Sequence, residues 1–143
     1  MRQLIGMAVI ATAGLSGAAL ATPAAFVEVT VTGLSSDKGV LACTLHDNAQ
    51  GFPAAPGVAH VRIAPQGGQG VCQFDGLPPG RYAVAVLHDE NANGRLDTNA
   101  LGIPQERWGI SIGKAPRWRA PRFDEAAFDL GTTSLRMGID LNP

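Results

Sequence analysis

Between residues 87 and 106 the chain alternates oxygen-bearing side chains with other residues: Asp89, Asn91 and Asn93 stand two apart, Gly94 follows, and Asp97 holds the ninth place counted from Asp89. Calcium is a hard cation that takes six to eight oxygen ligands. A loop whose side chains point alternately in and out delivers them from places 1, 3 and 5 with a backbone carbonyl at 7, and needs a glycine at its sharp turn. Asp89, Asn91, Asn93 and the carbonyl of Arg95 fill those places, and Asp97 adds a ligand directly or through water. The twelfth place, where a tight calcium loop carries a bidentate carboxylate, holds Ala100. Glu106, returning after Gly102-Ile103-Pro104, is the substitute, with Asn99 and Glu90 as weaker ones. Two clear carboxylates imply a weak Ca2+ site, in the range of roughly 0.1 to 1 mM found in extracellular modules. The competing reading is a loop of Asx turns, in which the same side chains cap their own backbone without an ion.

Two further groups of residues carry chemistry. Leu45-His46-Asp47 echoes Leu87-His88-Asp89. If the two strands were neighbours, His46 and His88 could approach each other, share a proton or bind a transition metal, and act with Asp47 or Asp89 in a small-molecule hydrolase. The plainer reading is that both histidines end strands in solvent, and that His60, alternating with Val61, lies on a polar strand face. No Gly-x-Ser-x-Gly elbow, zinc-protease motif or phosphate loop is present, so the expectation is a non-catalytic protein. The second group is the segment 107–122, with Arg107, Lys114, Arg117, Arg119 and Arg122 around Trp108 and Trp118 and no acid. Trp108, Lys114, Arg117, Trp118, Arg119 and Arg122 suit an anionic glycan, a lipid head group or an acidic protein through charge and stacking. The alternative is a solvated loop in which the arginines cover Trp118. Pro116 and Pro121 argue against an amphipathic helix there.

The elements that must position these residues are strands. At 26–32, Val27, Val29 and Val31 alternate with Glu28, Thr30 and Thr32, the period of a half-buried strand. Further strands are expected at 40–46, 58–64, 70–74, 81–88, 127–130 and 134–141, separated by glycine and proline clusters. The 81–88 strand is apolar on both faces, so it should be central, and the 87–106 loop leaves its end. A helical turn is expected only at 124–127. Seven to eight short strands with eighteen glycines and ten prolines give an all-β sandwich.

Compartment is read from the start of the chain and from its cysteines. Met1 and Arg2 precede an apolar run at 4–20 that ends Ala19-Leu20-Ala21, the three parts of a signal peptide cut after Ala21. A membrane anchor is the alternative, but Gly6, Gly14 and Gly17 with Thr12 and Ser16 make the run weakly hydrophobic for a span of about 20 residues. Residues 22–143 are then a single periplasmic or secreted domain with no transmembrane segment. An oxidising compartment lets Cys43 and Cys72 pair as a disulfide; two buried free thiols are the alternative. A formal net charge of −1 gives no sign of a nucleic-acid partner.

Leu77-Pro78-Pro79-Gly80-Arg81-Tyr82, then His88-Asp89-Glu90-Asn91-Ala92-Asn93-Gly94-Arg95-Leu96-Asp97-Thr98-Asn99 and Gly102-Ile103-Pro104-Gln105-Glu106, together resemble the exported bacterial family catalogued as domain of unknown function twenty-one forty-one. The resemblance spans nearly all of residues 22–143. It implies a prealbumin-like (transthyretin- or Ig-like) β-sandwich outside the cytoplasm and brings no established activity. The loop is also similar to calcium loops of B-type repeats in bacterial surface adhesins at Asp89, Asn91, Asn93, Gly94, Asp97, Gly102 and Ile103, and departs from them at Ala100. Transthyretin-like hydrolases use histidines on such a scaffold, but their C-terminal Tyr-Arg-Gly-Ser signature is absent. The expectation is therefore an exported β-sandwich module, calcium-steadied and disulfide-linked, that binds an envelope protein or glycan; the alternative is a hydrolase using His46 and His88.

Overall fold

The computed structural model describes residues 24–141, so the signal-peptide reading of residues 1–21 lies outside the described residues. In chain order the elements are β1 (Ala25–Thr32), β2 (Val40–His46), β3 (Ala59–Ile63), β4 (Gly70–Leu77), β5 (Gly80–Asp89), β6 (Trp108–Ile110), α1 (Phe123–Ala126), β7 (Phe128–Leu130) and β8 (Leu135–Asp140). One sheet has the order β4-β1-β8, and the other β3-β2-β5-β6 with β7 paired to β5. This is an all-β arrangement of two sheets around a shared core, consistent with a β-sandwich.

Alternation decides which face each strand buries. In β1, Val27, Val29 and Val31 are wholly buried while Glu28 and Thr30 between them are not. They meet Leu41, Cys43 and Leu45 of β2, Cys72 and Phe74 of β4, Val84 and Val86 of β5 and Ile139 of β8 in one cluster. Each fully buried side chain of this size contributes about 1.5–3 kcal/mol, so the cluster dominates the stability of the fold. β1 runs antiparallel to β4 and parallel to β8, with Val27 opposite Leu135 and Thr32 opposite Asp140. The Cys43–Cys72 disulfide, with Cα atoms 6.4 Å apart, ties β2 of one sheet to β4 of the other. It closes a segment of 29 residues, which restricts the unfolded chain by about 3–4 kcal/mol on the entropy model.

β5 is central, as its two apolar faces require. It pairs with β2 along 83–89 and with β6 at 85–87. Its inner face supplies Tyr82, Val84 and Val86. Its outer face supplies Ala83, which is covered by Ile110, Phe123 and Ala126 with Phe52, Trp108, Ala115 and Ala127 around them. Gly109 makes the close approach of β6 to β8 feasible, since a Cβ there would lie 2.7 Å from Leu141 Cδ2 and 2.9 Å from Ile139 Cγ2. The strand missing from the sequence reading is β6, whose three residues are too few to show a period. The expected helical turn is α1, shifted by one residue. Among the described residues no helix is long and apolar enough to cross a membrane.

Candidate functional site

The end of β5 becomes a loop because its last residue organises the backbone that follows. Asp89 is 0% exposed. Its Oδ1 accepts from the Asn93 N–H at 3.0 Å and its Oδ2 from the Gly94 N–H at 2.7 Å, with Arg62 Nη2 at 3.5 Å. To bring those N–H groups round, Ala92 and Gly94 take the left-handed conformation at φ 56° and 83°, a region that suits glycine and that alanine adopts with strain. From below, Gly39 presses on the start of the loop: a Cβ there would overlap the Asp89 carbonyl and come 2.6 Å from the Glu90 Cα.

The remaining side chains of the 1, 3, 5, 9 pattern converge on Asp97. Asn91 Nδ2 donates to its Oδ2 at 2.5 Å, and Asn93 Nδ2 donates to both carboxylate oxygens at 2.9 Å. These amide bonds, with Arg95 nearby, hold the Asp97 carboxyl below its ordinary pKa. The amide oxygens cap backbone, Asn91 Oδ1 accepting from Asn93 N–H at 3.1 Å and Asn93 Oδ1 from Arg95 N–H at 3.0 Å. Glu106 closes the loop, one oxygen accepting from Glu90 N–H and the other from Asp97 N–H, both at 3.0 Å. The residues singled out as ligands are thus brought together by Asx capping. For a cation the donor set is a partial fit. Among the described residues no group of three or more His, Cys, Asp or Glu could hold a metal, so an ion would need the Asn91 and Asn93 oxygens. As placed, both amides turn nitrogen toward Asp97, and each would have to rotate to offer oxygen there.

Beyond Asp97 the loop forms a small hairpin. Gln105 N–H donates to the Asp97 carbonyl at 2.8 Å, Thr98 bridges Pro104, and Asn99 Oδ1 accepts from Leu101 and Ile103 N–H at 2.9 and 3.0 Å. Its tip carries Leu101 at 83% and Ile103 at 45% exposure. Facing it is the segment 116–121, and the two enclose a groove of about 460 Å³ whose walls include Leu101, Ile103, Trp108, Arg117, Trp118 and Arg119. Of the six residues read as partner-binding, Trp108, Arg117, Trp118 and Arg119 line this groove. Lys114 and Arg122 are exposed and do not. Trp118 is 90% exposed, so the reading in which arginines cover it is corrected. Arg119 instead binds Glu125 in a two-bond fork at 2.9 and 2.6 Å, which lowers the Glu125 carboxyl to about 2. The sequence reading missed Leu101 and Ile103 as groove residues. Their signal was three large aliphatics, Leu96, Leu101 and Ile103, in a mostly polar, glycine-containing loop.

The family described as "Uncharacterized protein conserved in bacteria (DUF2141)" matches residues 29–137, from the middle of β1 into β8 and across loop and groove alike. The chain belongs to the DUF2141 family. No curated protein and no solved structure matches it.

In this DUF2141 chain the two His-Asp pairs do not form a site together. β2 and β5 are neighbours, but they run antiparallel, so His46 lies opposite Ala83 and His88 opposite Leu41. Five residue steps at about 3.4 Å separate the histidines by roughly 17 Å. Neither ends its strand in solvent. His46 is 2% exposed, on the outer face, with its ring 4.9 Å from Phe52 and, among the described residues, no partner for Nε2. Burial pushes its pKa down, with Asp47 partly opposing. His88, 0% exposed, has Nε2 at 2.9 Å from the Lys38 carbonyl and Nδ1 at 3.4 Å from Ser35 Oγ. Both nitrogens are used to tie the β1–β2 turn to β5, a structural task. His60 is exposed on β3, as its alternation with Val61 implies.

Proposed function

We propose that this DUF2141 chain is an exported, periplasmic or secreted, non-catalytic module of prealbumin-like form. It binds a cell-envelope or extracellular partner, an envelope protein or a glycan, through the groove between the 96–104 hairpin and the 116–121 segment. The observation that carries the reading is Trp118, held 90% exposed beside Arg117 on an apolar groove wall. Exposed apolar side chains mark an interaction site where they are grouped, and Trp118 shares this groove with the exposed Leu101 and Ile103. Calcium fits the same reading as a weak accessory that steadies the hairpin bearing Leu101, with Asp89, Asn91, Asn93, the Arg95 carbonyl, Asp97 and Glu106 as the oxygens, and the 1, 3, 5, 9 spacing of oxygen side chains supports it. The arrangement of the histidines supports a non-catalytic role, since each is absorbed in packing or in holding a turn. Retention of the purified protein on isolated envelope fractions tests the reading. Trp118→Ala with Arg117→Gln should abolish retention and His46→Ala should leave it unchanged; equal retention of all three proteins would overturn the proposal.

A further inference from the structure

We infer that the rim of this groove docks on an anionic phospholipid bilayer, with Leu101 and Trp118 entering the interface and Arg117 meeting the head groups. The inference rests on the proposed binding role of the groove and takes its occupant from the lipid of the envelope in place of a protein or glycan. Two large apolar side chains protrude, Leu101 at 83% and Trp118 at 90% exposure, with Ile103 at 45% on the same hairpin as Leu101. They come from separate segments on opposite walls, so their shared exposure is not an accident of one turn. The chemistry around them is polarised. Residues 107–122 hold five basic residues and no acid, and with Arg119 engaged by Glu125, Lys114 and Arg117 are exposed and make no ion pair among the described residues. Aliphatics and a tryptophan beside free cations match a bilayer interface layer by layer: apolar side chains at the acyl boundary, the indole at head-group depth and the guanidinium on phosphate. A glycan would stack on Trp118, but Thr98, Arg117 and Arg119 are the polar side chains the groove offers its hydroxyls, among Leu96, Leu101, Ile103, Pro104, Pro116 and Pro121. The hairpin is also held in shape, by Asn99 and by the Asp97 to Gln105 contact, so little ordering opposes insertion.

Co-sedimentation of the full protein with vesicles of pure phosphatidylglycerol or pure phosphatidylcholine, read together with tryptophan fluorescence, tests this. The expected result is binding to phosphatidylglycerol with a blue shift, and little binding to phosphatidylcholine. Leu101→Ser and Trp118→Ala should each weaken partition roughly tenfold or more, and Trp118→Ala should also remove the blue shift. Trp118→Phe, which keeps an interfacial ring and guards against a fold defect, should bind within a few-fold of wild type. Phosphatidylglycerol binding that survives both Leu101→Ser and Trp118→Ala would overturn insertion. Absence of vesicle binding, with Trp118-dependent retention on immobilised polygalacturonate, would overturn the lipid and leave the binding module standing. Absence of binding to both, with retention on envelope fractions unchanged by Trp118→Ala, would overturn the two together.

Discussion

Replacing Asp89 with alanine separates a loop organised by one buried carboxylate from a loop that merely passes over it. The wild-type carboxylate is 0% exposed and receives two backbone N–H bonds, from Asn93 and Gly94 at 3.0 and 2.7 Å. Bonds to a charged acceptor contribute about 1.5–3 kcal/mol each, and the exposed Asn93 and Gly94 backbone recovers part of this from water once the acceptor is gone. Because both bonds share one carboxylate they do not add fully, and the half-exposed Arg62 at 3.5 Å contributes little after solvent screening. The expected loss is therefore about 2–4 kcal/mol, or a fall of roughly 10 °C in Tm. Urea unfolding followed by tryptophan fluorescence measures it, and Asp47→Ala is the control. Asp47 is exposed and, among the described residues, accepts only from Asn48 in the same turn, so its loss should stay below about 0.5 kcal/mol. A loss below about 1 kcal/mol for Asp89→Ala, or one no larger than the control's, would refute the reasoning.

Other expectations follow from the same structure. Replacing Cys43 and Cys72 together by alanine should lower stability by about 3–4 kcal/mol through the unfolded chain, visible as a drop in urea midpoint that reductant reproduces in the wild type and not in the variant. His46 titrates below its ordinary value of 6.5 because it is buried, so the unfolded chain takes up the proton first. Its stabilising contribution is present above pH 6.5 and is lost as pH falls toward the folded value. Urea midpoints measured above and below pH 6.5 should diverge in the wild type and converge in His46→Phe; equal divergence would assign the slope elsewhere. Stripping with EDTA and adding calcium at about 100 times its dissociation constant should stabilise the protein by roughly 2.7 kcal/mol, and Asp89→Ala should abolish the shift. No shift in wild-type protein shown to be metal-free would remove calcium from the proposed function.

The sequence makes the strands legible wherever burial is one-sided. Val27, Val29 and Val31 announce β1, and β2 appears with its bounds intact, because period 2 has room to show over seven or eight residues. β6 does not appear, since Trp108, Gly109 and Ile110 offer three positions and a glycine whose purpose depends on Ile139 and Leu141 across the sandwich. The loop residues were found by spacing, but spacing cannot say whether Asn91 turns its oxygen or its nitrogen toward Asp97. That choice is set by which backbone N–H groups the turn brings near. The histidine pair failed for a related reason: the repeated Leu-His-Asp is visible, while strand direction is not, and antiparallel pairing puts the two copies at opposite ends. The groove was half legible. Its basic and aromatic wall lies in one stretch of sequence, whereas its aliphatic wall comes from a loop whose oxygen spacing is more visible in sequence than Leu101 and Ile103 are.

The parallel pairing of β1 with β8 has a kinetic consequence. β1 is the middle strand of its sheet, and one of its two edges is completed only by a segment 108 residues later, as in the bond between Phe26 N–H and Ser134 Oγ. In a chain without β8, the edge of β1 that β8 pairs would present unpaired backbone next to Val27, Val29 and Val31. Such an edge invites pairing between chains, and closing so long a loop is slow. β8 is thus the strand that covers this edge, and a chain shortened before Leu135 should be lost to aggregates rather than accumulate as a smaller fold.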